Sequence, residues 1–111
     1  MTDVKLSYCE VKPDKAEKLR SWYRELQQRS DEVEESLKHE KMFTETAFIQ
    51  EYRDDKFLFV YMESEDINEI EEAGNKEKFD IDEEHHEVLN DCLTGDWSTL
   101  EAIGHMTSSE R

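Results

Sequence analysis

The chain has 111 residues, with 30 Asp plus Glu against 14 Lys plus Arg and a formal net charge of -16 at pH 7. That length is one domain's worth, enough to bury about two thirds of the unfolded surface without disulfide or metal staples. The charge sign disfavours binding to nucleic acid or anionic lipid, and no apolar run is long enough to span a membrane.

Residues 4 to 11 alternate β-branched and aromatic side chains with polar ones and read as a first strand, ending before Lys12-Pro13. Asp14-Lys15-Ala16-Glu17 has the form of a capping box, which predicts a helix start. Ala16, Leu19, Tyr23, Leu26, Ser30, Val33 and Leu37 then keep a three-four spacing, so one stripe faces one way to about residue 38. A bend at Ser30-Asp31 is compatible with this pattern. The stripe is too short for a coiled coil and reads as packed on a sheet.

Residues 42 to 52 and 56 to 63 form a hairpin, with Asp54-Asp55 as the expected two-residue turn. In that register Tyr52 faces Phe57, Gln50 faces Phe59, Phe48 faces Tyr61 and Thr46 faces Glu63, all on one face. Ala47, Ile49, Leu58, Val60 and Met62 share the other. Both faces are rich in apolar area, so helices can cover one and a second cover is needed for the other.

Asp66-Ile67-Asn68-Glu69 repeats the capping-box form and predicts a short helix ending at Gly74. Another helix is expected from Asp80 or Asp82 to about Leu93, with acids in its first turn where the helix dipole favours them. A last strand is expected from Trp97 to about Met106, and a disordered tail over 107–111. The order is β-α-β-β-α-β with a split second helical region: a ferredoxin-like α+β domain over residues 1–106, its four-stranded antiparallel sheet covered by helices on one face.

Several stretches, Val11-Lys-Pro-Asp-Lys15 before the long helix, Val60-Tyr-Met-Glu63 ending the hairpin and Asp82-Glu-Glu-His85 opening the last helix, resemble a family of small uncharacterised proteins similar to the dimeric α/β-barrel superfamily. Acidic members of that family are typical of halophilic archaea. The resemblance implies a homodimer whose sheet face away from the helices lines a pocket. The wider superfamily includes cofactor-independent monooxygenases, mutarotases, haem-handling proteins and ligand-binding regulators, so the fold names no reaction.

The residues nominate two groups for chemistry. Phe48, Gln50, Tyr52, Phe57, Phe59, Tyr61 and Glu63, joined by Thr99, Glu101 and His105 from the last strand, make an aromatic wall with a few polar groups, as a small-molecule site requires. The same wall serves equally as the core of a dimer interface. On the last helix Ile81, His85, Val88, Leu89 and Cys92 share a face, so His85 points inward and His86 more outward. Glu40 and Glu45 bracket the start of the second strand and can orient His85.

The reading is a homodimer binding a small organic ligand, with His85 as acid/base, Glu45 as its orienting partner, and Tyr61 with Gln50 positioning the substrate. Phe48, Phe59, Glu63, Glu101 and His105 line the ligand site. It calls for no cofactor and no metal, since adjacent His85 and His86 lack the spacing that puts two imidazoles one helical turn apart. The alternative is a non-catalytic interaction dimer.

The acidic coat predicts adaptation to salt, because self-repulsion is screened as the Debye length shrinks. A basic partner or nucleic-acid mimicry is the competing explanation. The absence of a signal-peptide pattern at Met1-Thr2-Asp3 predicts a cytoplasmic protein. Cys9 and Cys92 match no metal or redox spacing and read as reduced thiols.

Overall fold

The structure, a computed structural model, describes residues 2–68 and 79–108. Its elements are β1 (Asp3–Glu10), α1 (Ala16–Gln28), α2 (Ser30–His39), β2 (Met42–Tyr52), β3 (Asp55–Ser64), α3 (Asp80–Cys92) and β4 (Ser98–Thr99). The sheet order is β2-β3-β1-β4 with every pairing antiparallel. This is the ferredoxin-like arrangement expected from the order of elements. No described helix is long and apolar enough to cross a membrane. The short helix expected from Asp66 lies beyond Asn68 outside the described residues, as does the tail from residue 109.

The turn into α1 differs from expectation. Asp14 adopts φ 65°, and the Lys15 amide donates to the Lys12 carbonyl at 3.2 Å, so Pro13-Asp14 occupy the centre of a reverse turn. Proline suits the first central position and Asp tolerates the left-handed second one. Asp14 is therefore a turn residue, and α1 starts at Ala16 without a side-chain cap.

The long helix breaks at Arg29, where φ is -105° and ψ is 44°. Asp31 and Glu32 then fall in the first turn of a new helix, where negative charge is favoured. Arg29 ties the break down, pairing with Glu25 at 3.0 Å, with Glu32, and with Glu84 of α3 at 2.7 Å.

In the hairpin the turn is Arg53-Asp54, with Arg53 at φ 57°, so Tyr52 pairs with Asp55, Gln50 with Phe57, Phe48 with Phe59 and Thr46 with Tyr61. The pairing is shifted by two residues from the expected register. A two-residue shift leaves every side chain on its face, whereas a one-residue slip would reverse them all.

The shift hides a second feature. Met42 pairs with Ser64 but Thr44 with Glu63, so Phe43 is the extra residue of a β-bulge. Glu45 shares the face of Val60 and Met62 by regular alternation, and the bulge resets the alternation so that Met42 joins it.

That face holds the core. Cys9, Leu58 and Val60 pack with Ala16 and Leu19 of α1, with Cys92, and with Val11 and Leu93, which bridge β1's end to α3's. Cys9 and Cys92 are buried free thiols. On the opposite face Tyr8 stacks on Phe59 with centroids 5.1 Å apart and meets Phe57 edge-on at 6.2 Å. That face has no cover among the described residues, leaving Phe48 56% and Tyr52 57% exposed.

The last strand is far shorter than expected. Only Ser98 and Thr99 pair with β1, and after Leu100 donates its amide to Leu6 the chain leaves the sheet. Ile103 and Met106 are almost fully exposed. Alternation made 97–106 strand-like; a strand also needs a neighbouring edge to satisfy its backbone, and the chain diverges from the edge of β1.

A candidate acid–base cavity between the sheet and the helices

A cavity of about 330 Å³ opens between the helix-side face of the sheet and α1, α2 and α3. Val33 and Leu37 of α2, Met42 and Met62 of the sheet, and Ile81 and Leu89 of α3 supply an apolar lining. Tyr23, Glu40, Glu45, His85, His86 and Trp97 supply the polar and aromatic groups. A mostly apolar concavity with a few convergent polar groups is the usual form of a small-molecule site.

The frame is fixed by a hydrogen-bonded carboxylate. Asp82 in the first turn of α3 is buried, accepting from the Ser36 hydroxyl of α2 and from the Phe79 amide at 3.2 Å. One carboxylate oxygen thus ties α3 to α2, and the other caps the N-terminus of α3 itself.

His85 stands one turn further along α3. The Trp22 indole N–H donates to its Nδ1 at 2.8 Å. An indole nitrogen can only donate, so Nδ1 is the acceptor and Nε2 carries the proton. The Trp22 ring stacks beside the imidazole at 6.1 Å, and Tyr23 meets it edge-on at 5.9 Å. Burial, reinforced by the charge of His86 and opposed by Asp82, lowers the His85 pKa to about 4. At neutral pH His85 is a neutral imidazole with a fixed tautomer.

Glu45 reaches the cavity from β2. Its side chain is partly exposed as a whole, yet its carboxyl is desolvated, and burial followed by the nearby Glu40 raises its pKa to about 7. No hydrogen bond or ion pair from a described residue engages it. Burial and then Asp82 also raise Glu40, with His86 opposing. The Tyr23 phenol is pushed well above its ordinary range by burial and then by Glu45, and its hydroxyl is buried without a hydrogen-bond partner among the described residues. Among the described residues, no three His, Cys, Asp or Glu side chains converge as a metal site would require.

The structure divides the residues nominated from sequence between the two sides of the sheet. His85 and Glu45 line the helix-side cavity, but Trp22, not Glu45, orients the imidazole. Tyr61 lies on the opposite face with Phe48, Gln50, Phe59 and Glu63, and its hydroxyl donates to Glu63 at 2.7 Å. Thr99 turns toward the helices, its hydroxyl 2.9 Å from that of Ser7. Glu101 and His105 sit in the exposed segment beyond β4. His86, expected to point outward, lines the cavity beside His85. Trp22, Tyr23 and Trp97 were legible only as apolar positions, and nothing in their spacing singled them out as neighbours of His85.

Strand order, helix placement and this cavity define a ferredoxin-like α+β domain with a pocket beneath its helices. The chain belongs to a family of unknown function (DUF6176), whose pattern matches residues 2–110. Among solved structures it is similar to a conserved protein from Methanosarcina mazei Go1, at 19% identity and TM-score 0.59, covering 90% of this chain and 89% of that one. It is also similar to a cofactor-independent oxygenase from Streptomyces nogalater, at 11% identity and TM-score 0.59, covering 96% of this chain and 98% of the other. A protein of unknown function from Nitrosomonas europaea matches at 12% identity and TM-score 0.58, covering 98% and 97% of the two chains. At these identities the likeness establishes the fold. No curated protein matches the chain by sequence.

Proposed function

We propose that this protein binds a small organic molecule in the helix-side cavity and moves a proton on it, with Glu45 as the acid/base and the Nε2–H of His85 as a fixed hydrogen-bond donor. The observation that carries this reading is the Glu45 carboxyl, which faces an apolar cavity without a partner among the described residues and whose pKa burial raises to about 7. A general acid/base works best when its pKa lies near the operating pH. His85, held neutral, is suited to donate rather than to accept a proton. The roles expected of the two residues are therefore exchanged, and Tyr61 and Gln50 fall outside this site. A cofactor-independent oxygenase reaction, the activity named for the Streptomyces nogalater protein, is the extension to test by oxygen uptake.

The test is a thermal-shift screen of small organic molecules against the parent and Glu45→Gln. Hits that shift the parent and lose most of their effect in the variant support the site. Hits of equal strength in both would remove Glu45 from it.

The open face carries the second part of the reading. Its aromatic row, with Phe48 and Tyr52 more than half exposed, is proposed as the surface buried against a second copy of the chain. With the cavity on the other side of the sheet, these aromatics need not serve as pocket walls. Light scattering after size exclusion should give twice the protomer mass, reduced to one by Phe48→Asp; a monomeric parent would sink the interface. The net charge of -16 leads to a further expectation, that unfolding in KCl shows stability rising with salt. Maximal stability at low salt would contradict adaptation to a salt-rich medium.

A further inference from the structure

Accepting the cavity as a ligand site leaves open which molecules it takes, and its charges bear on that choice. Glu45 feels the negative charge of Glu40, and Glu40 in turn that of Asp82 on α3, so three carboxylates follow one another along the cavity. Asp82 is committed to Ser36 and the Phe79 amide, whereas Glu45 is engaged by no described residue. Lys5 lines the cavity two strands away, across Met62 from Glu45, and its charge does not figure among those acting on Glu45. His86 acts on Glu40, and His85 is neutral. The same space is walled by the rings of Tyr23 and Trp97, and the Tyr23 hydroxyl is buried without a partner among the described residues.

A desolvated carboxyl with no donor among the described residues calls for either a proton or a cation that brings donors with it. An ammonium group supplies positive charge and N–H donors together, and aromatic walls favour it further. An anionic ligand would add a fourth negative charge to Glu40, Glu45 and Asp82. We propose that the cavity takes a small organic amine, bound as its ammonium ion, with Glu45 as the counter-charge and Glu40 as the second carboxylate. This inference rests on the reading of the cavity as a ligand site.

Binding an ammonium ion favours ionised Glu45, so complex formation releases a proton near neutral pH. The amine stays protonated between pH 6 and 8, while the ionised fraction of Glu45 rises from about one tenth to about nine tenths. Affinity should therefore rise about ninefold over that interval. Lys5, Tyr23, Glu40, Asp82, His85 and His86 also face the cavity, and a Glu45→Gln variant separates the contribution of Glu45 from theirs.

Isothermal titration of the full chain with benzylamine, benzyl alcohol and benzoate, at pH 6 and pH 8, tests the proposal. The expected result is benzylamine binding that tightens with pH and releases a proton, with benzoate excluded. In Glu45→Gln, checked for parental thermal unfolding at pH 4, where Glu45 is protonated in both the folded and the unfolded chain, benzylamine should bind about tenfold more weakly and lose the pH dependence. Benzyl alcohol or benzoate binding as tightly as benzylamine, or benzylamine binding unchanged in the variant, overturns the amine while leaving the pocket standing. Failure of all three probes to bind overturns both.

Discussion

The two faces of one sheet are built from the same strands and carry opposite kinds of side chain. Toward the helices, Cys9, Leu58, Val60 and Ala47 form a tight aliphatic floor that gives way near Met42 and Glu45 to a cavity. Away from them, Tyr8, Phe48, Phe57, Phe59 and Tyr61 form a continuous aromatic sheet surface without a cover among the described residues. The difference teaches where each kind of work is done. Desolvation shifts pKa values on the helix side, whereas the open side offers area, and area suits association.

The sharpest way to break this comparison is to remove matched side chains from the two faces. Leu58 is 1% exposed at the centre of the helix-side floor, so Leu58→Ala should cost about 2–5 kcal/mol in urea unfolding. Phe48→Ala, from a half-exposed position, should cost the isolated protomer under about 1 kcal/mol and act on self-association instead. Equal losses would mean that the open face is part of the protomer's own core.

Next in size is the pH dependence of Glu45. Its folded pKa of about 7 exceeds the unfolded value of 4.5, so the folded state holds more protons in between. Its contribution is fully present below about 4.5 and is lost as pH rises through 7. Glu45→Gln should thus gain on the parent by about 3 kcal/mol between pH 4 and pH 8. A constant difference between variant and parent over that range would show that the carboxyl is not desolvated.

His85 works in the opposite sense. Its folded pKa of about 4 lies below the unfolded 6.5, so the unfolded state binds more protons between them and stability falls as pH drops through that window. His85→Gln should remove this part of the acid sensitivity, measured as a flatter unfolding curve from pH 6.5 to 4.

The smallest effect expected is from Trp22→Phe, which deletes the indole donor to His85 Nδ1 and should cost about 1 kcal/mol. The exchange should also free the imidazole tautomer, seen as a shift in the ¹⁵N resonances of His85. An unchanged tautomer would give the orienting role to another group.

Much of this architecture could be read from the residues. The hairpin faces survived a wrong turn assignment, because moving the turn from Asp54-Asp55 to Arg53-Asp54 shifts the pairing by an even number. The stripe on the first helix located Ala16 and Leu19 in the core and left the bend at Ser30 open; the break falls one residue earlier. The last strand was read too long because alternation along 97–106 describes one chain's side chains and says nothing of the edge beside it. The site was half legible. His85 followed from the helical face it shares with Leu89 and Cys92, and Glu45 from its position at the start of the second strand. Their grouping with Tyr61 did not follow, since Glu45 and Tyr61 have opposite directions across the sheet.

The sequence by itself determined the order of elements, the ferredoxin-like class, and which side chains share a strand face or a helix stripe. Those are consequences of the two-residue and 3.6-residue periods, which are local properties of the chain. Only the tertiary structure decided that the cavity lies beneath the helices, that Trp22 fixes the His85 tautomer, and that Glu45 is desolvated beside Glu40. Burial and electrostatic coupling depend on distances between elements remote in sequence, and a bulge of one residue at Phe43 was enough to turn Met42 onto the face that Glu45 occupies, where the cavity forms.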